Sequence, residues 1–66
     1  MTNSEKLHNW IRQYMPDLAR EVARMSPVLF LARLNSITGA GVRCCDTIED
    51  GSARFLAALQ DLSGQP

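Results

Sequence analysis

Apolar residues recur along this chain at helical spacing from one end to the other. Leu7, Trp10, Ile11 and Tyr14 stand at i, i+3, i+4 and i+7, the pattern of one buried helical stripe. The stripe keeps its phase through Leu18, Val22 and Met25, although Pro16 interrupts it by removing an amide and crowding the preceding turn. Pro16 implies either one helix kinked there or two helices meeting, over residues 4–15 and 16–25, and the continuous phase favours the kink; Asn3 or Ser4 is placed to cap the start. Ser26-Pro27 reads as a cap followed by proline at the first helical position. The helix it opens, 27–38, is apolar nearly all round: Val28, Leu29, Phe30, Leu31, Ala32, Leu34 and Ile37. Gly39-Ala40-Gly41 ends it.

Beyond the glycines the spacing predicts a short helix over 43–49, with Cys45 and Ile48 on its inner side. Asp50-Gly51-Ser52 reads as a turn. A last helix over 53–62 sets Phe55, Leu56, Leu59 and Leu62 on one side. No alternating strand pattern competes. The expected fold is therefore all-α, a compact bundle of four to five short helices in a single domain, 1–66. Its core is expected to hold Trp10, Ile11, Leu18, Val22, Leu31, Leu34, Ile48, Phe55 and Leu59.

Length sharpens this picture. Sixty-six residues, 45% of them hydrophobic, suffice for one small core but leave little stability in reserve. Chains of this size are commonly stapled by disulfides or metal, or completed by a partner. Cys44 and Cys45 are adjacent and close no useful loop. With His8 they are the only soft metal ligands, too few and too poorly spaced for zinc, and no base is suitably placed to activate a thiol. Cys45 is expected in the core with Cys44 at its edge, both as free thiols.

The polar opening Met1–Lys6 lacks a signal-peptide pattern, and the longest apolar run, Val28 to Ala32, is too short for a bilayer. Gly39-Ala40-Gly41 lacks the spacing and lysine of a phosphate-binding loop. The expectation is a cytoplasmic protein that is not an enzyme, with no catalytic residues, cofactor, metal, small-molecule substrate or membrane contact.

Net charge is zero but unevenly spread. Residues 1–45 hold six basic and three acidic side chains, a net of +3, whereas residues 46–66 hold one basic and four acidic, a net of −3. Arg20 and Arg24 form a ridge one turn apart, and Asp46, Glu49 and Asp50 form an acidic group that lacks the alternating ligands of a calcium loop. Separated charges of this kind can orient a protein partner or a second copy.

The order of features resembles the caspase recruitment domain of the death-fold superfamily. The resemblance is carried by Leu7-His8-Asn9-Trp10-Ile11-Arg12-Gln13-Tyr14-Met15-Pro16-Asp17-Leu18-Ala19-Arg20-Glu21-Val22, then Pro27-Val28-Leu29, then Ser52-Ala53-Arg54-Phe55-Leu56-Ala57-Ala58-Leu59-Gln60-Asp61-Leu62. It lies in spacing and residue type, without a diagnostic motif, and lacks that family's last two helices. It implies homotypic binding, in which Arg12, Arg20, Arg24 and Arg54 on one molecule meet Asp46, Glu49 and Asp50 on another.

The leading expectation is a helical protein–protein interaction module that self-associates or binds a related helical domain. Its apolar contact is assigned to Phe30 and Leu34 or their neighbours, and its orienting charges to the residues just named. A dimeric DNA-binding or transcription-regulating protein is the second reading, although net charge zero and acids after the glycines disfavour nucleic acid. A regulatory subunit docking a larger enzyme is the third.

Overall fold

The fold was obtained as a computed structural model, which describes residues 2–43 and 45–64. Four helices follow one another: α1 (Asn3–Tyr14), α2 (Pro16–Val22), α3 (Pro27–Thr38) and α4 (Ile48–Ser63). No strand occurs among the described residues, as the helical spacing leads one to expect.

Thr2, one residue earlier than expected, caps α1. Its hydroxyl accepts the Glu5 N–H at 3.1 Å, while the Glu5 carboxylate accepts the Thr2 N–H at 3.3 Å, a reciprocal capping box. The stripe of α1 is buried through Leu7, Trp10 and Ile11, and the Tyr14 ring lies 5.1 Å from that of Trp10. At Pro16 the chain breaks into two helices. Met15 leaves the helical region (φ −136°, ψ 65°), and Pro16 opens α2 at a position where its missing N–H costs nothing. Leu18 is the buried residue of this short helix, with Val22 half-buried.

α3 follows expectation closely. Ser26 caps it, Pro27 opens it, and Gly39 closes it in the left-handed conformation (φ 68°) that a side chain rarely adopts. The expected separate helix over 43–49 does not form: Arg43 and residues 45–47 are not helical, and Ile48 and Glu49 belong to α4. The chain from Gly39 to Thr47 instead forms a strap across α3 and α4, with Cys44 outside the described residues. Asn35 explains the difference. Its side-chain amide donates to the Val42 carbonyl at 2.7 Å, the group that would accept from the first turn of a helix, and accepts the Val42 N–H at 2.8 Å. Val42 is thereby pressed into the core.

The presumed turn at Asp50-Gly51-Ser52 is helical. Thr47 caps α4 by accepting the Asp50 N–H at 3.0 Å, so the helix begins about one turn earlier than the sequence signals suggest. Gly51 has a packing role there: a Cβ on it would stand 2.9 Å from Val42 Cγ1. The glycine lets the strap lie against the helix.

Leu7, Trp10, Ile11, Leu18, Leu34, Val42, Phe55 and Leu59 form the core. α4 lies chiefly on α1, and α3 packs on α4. Leu31 is only half-buried. Two expected core residues are exposed instead. Cys45, a free thiol, lies on the strap and not on an inward helical face. Ile48 is 75% exposed. It shares the phase of Phe55 and Leu59 at i, i+7 and i+11, but it stands on the first turn of α4, beyond the cover of the other helices.

Candidate functional site: an apolar groove with a basic rim

Residues of α1, α2, the start of α3, the strap and the start of α4 line an open groove of about 1160 Å³. Buried Ile11, Val42 and Phe55 line it, together with Gly51 and Ser52. Val28, 69% exposed, and Ile48 line it too. The groove is thus the open end of the hydrophobic core, continuous with residues that are buried.

His8 and Phe30 bridge α1 and α3 in the groove wall, their rings 5.2 Å apart. His8 Nδ1 lies 2.8 Å from the Ser4 carbonyl, which can only accept, so Nδ1 is the protonated nitrogen.

Three arginines line the groove: Arg12 of α1, Arg20 of α2 and Arg43 of the strap. Arg12 bonds the Asn9 side chain, and Arg20 pairs with Asp17, both ends of that pair being highly exposed. Arg24 is exposed and shares a shallow depression with Arg20 and Glu21. Arg54 does not join the other arginines: it pairs with Asp46 at 3.3 Å. A residue assigned to the basic surface and one assigned to the acidic surface therefore neutralise each other within one molecule. The Asp46 carboxylate also accepts the Arg43 N–H at 2.8 Å. That bond chiefly, opposed in part by desolvation and assisted by the charge of Arg54, holds its pKa below the ordinary 3.8.

Glu49 is engaged as well. Its carboxylate accepts the Asn3 N–H at 3.1 Å, and its carbonyl accepts from the Asn3 side chain at 3.2 Å, joining the first turns of α1 and α4. Asp50 has an exposed side chain. The acids expected to form one docking face are thus partly engaged inside the fold.

Leu34, assigned to an interface, is fully buried at 0% exposure and belongs to the core. The strap accounts for the correction, since it brings Val42 into the same core cluster as Leu34. Phe30 is half-buried. The exposed apolar residues of α3 are Val28 and Leu29. Arg43 and Ile48, with Val28 and His8, are among the groove residues that the sequence does not assign to the site. Ile48 carried a usable signal, its i, i+7 spacing to Phe55, but reading it required knowing that α4 extends back to Thr47.

No group of three or more His, Cys, Asp or Glu side chains among the described residues could hold a metal ion, and no helix among them is long and apolar enough to cross a membrane. Comparison with protein-family models, with curated proteins and with solved structures gives no match.

Proposed function

We propose that this chain is a helical protein–protein interaction module that receives an amphipathic helix of another protein in the groove lined by the helices and the strap. Ile48 carries the reading. It keeps the phase of the core residues Phe55 and Leu59 yet is 75% exposed, lining the groove with Val28. Scattered exposed apolar residues need no explanation, but apolar residues gathered along a groove that runs into the core mark a contact site. Laying the apolar side of a helix into such a groove is a recurrent mode of recognition.

The homotypic form has less support. Asp46 and Glu49, two of the three acids it needs, already bond Arg54 and Asn3 within the chain. Duplex binding is disfavoured by zero net charge and by the acids on the first turn of α4.

The test is titration of the isotope-labelled protein with an 18-residue amphipathic peptide carrying leucines at i, i+3, i+4 and i+7 and an uncharged polar side. Amide shifts confined to the surroundings of His8, Val28, Ile48 and Ser52, and lost in Ile48→Asp, are expected. Absence of binding at millimolar peptide, with the protein folded by circular dichroism, overturns the reading.

A further inference from the structure

We infer that the occupant of the groove is an acidic amphipathic helix supplied by a different protein. This rests on the docking reading above and adds the chemistry of the partner.

Charge is the first ground. Arg12, Arg20 and Arg43 line the groove, and Asp46 is the one carboxylate among the lining residues. Asp46 is engaged by Arg54 and by the Arg43 backbone. Even counting it fully, the lining carries a surplus of two positive charges in a chain of net charge zero. Asp17, the partner of Arg20, is not among the lining residues, and both members of that pair are at least 80% exposed, so the pair is weak and open to exchange. A helix with carboxylates beside its apolar stripe meets this rim. A basic one is repelled by it.

Shape is the second ground. The groove volume of about 1160 Å³ lies above the roughly 300–1,000 Å³ usual for small-molecule sites.

The third ground disfavours the outer face of α4 in a second copy as the occupant. The large exposed apolar side chains are Val28, Leu29, Ile48 and Leu62. Val28 and Ile48 belong to the groove itself, and Leu29 stands beside Val28 on α3. The outer face of α4 offers Asp50, Ala53, Ala57 and Asp61, all exposed. It has the acids but only methyl groups between them, which leaves the groove unfilled and forfeits its dispersion contacts.

The experiment compares three 18-residue peptides with one leucine stripe and flanks of glutamate, glutamine or lysine, measured by fluorescence anisotropy at low and high salt. The glutamate peptide should bind about tenfold tighter than the glutamine peptide at low salt, the sum expected of three exposed pairs. The lysine peptide should bind weakest, and the differences should shrink at high salt. The double variant Arg12→Gln/Arg43→Gln should reduce the preference for the glutamate over the glutamine peptide to about twofold, the share left to Arg20. Equal affinity for the glutamate and glutamine peptides overturns the acidic occupant but leaves helix docking standing. No binding by any of the three brings down the docking reading itself. A dimer of the chain alone that Ile48→Asp abolishes, and that no peptide displaces, gives the groove to a second copy and overturns the inference.

Discussion

Asn35 holds both backbone polar groups of Val42, donating to its carbonyl at 2.7 Å and accepting its N–H at 2.8 Å, so that one side chain does for the strap what a neighbouring strand would do. Replacing Asn35 by alanine removes both bonds and leaves partly buried backbone groups to find other partners. A loss of about 1–3 kcal/mol is expected. Asn35→Asp should also destabilise, because a carboxylate cannot donate to the Val42 carbonyl. Urea unfolding followed by circular dichroism measures both, and an unchanged midpoint for Asn35→Ala would show that the strap does not depend on this clamp.

Gly51 and Val42 offer a sharper test. In an exposed helix interior, glycine to alanine stabilises by about 1 kcal/mol. Here the added Cβ would stand 2.9 Å from Val42 Cγ1. Valine is stiff at its branched carbon and Val42 is buried, so Gly51→Ala should destabilise the protein. Shortening the opposing side chain with Val42→Ala should make room, and the double variant should be more stable than the sum of the single changes predicts. Strict additivity across the cycle would mean that the two residues do not meet.

Leu34 and Leu29 lie on one helix with opposite surroundings, the first fully buried and the second 59% exposed. Leu34→Ala should cost about 2–5 kcal/mol, a large part of what a domain of this size can have. Leu29→Ala should fall within about 0.5 kcal/mol of the parent. Equal melting temperatures for the two variants would contradict the placement of α3.

Asp46 adds a pH dependence. Its folded pKa lies below the ordinary 3.8, so its ionised form stabilises the fold above that value, and the contribution fades as pH falls through the folded pKa. Asp46→Asn should therefore lose stability near neutral pH and depend less on pH below about 4 than the parent. Parallel pH profiles for the two proteins would remove the role assigned to the Arg43 N–H and Arg54.

Most of the fold was legible in the sequence, because α1 and α3 carry their signals within themselves. Ser26-Pro27 opens α3, Gly39 closes it, and the stripe Leu7–Trp10–Ile11 faces inward. Residues 42–51 were not legible, for one physical reason: their conformation is decided from outside. Asn35 diverts Val42 from helix, and Val42 in turn gives Gly51 its purpose inside α4. Local signals there read Gly51 as a turn and 43–49 as a helix. The candidate site followed the same division. Arg12 and Arg20 were expected among binding residues, whereas Arg43 and Ile48 emerge only once the strap is in place. Charge separation along the chain did not translate into two free surfaces, since Asp46 meets Arg54 and Glu49 meets Asn3.

The clamp at Asn35 also ties the strap to α3 at one point of the helix. Val28 stands about 10 Å from that point along the axis, at about 1.5 Å per residue. Glu21 and Arg33, paired at 3.0 Å, link α2 to α3 at the surface, where such a contact yields readily. Asn35 itself is not a groove residue, so a change there would shift Val42 and with it one part of the groove wall while leaving every lining side chain in its native identity.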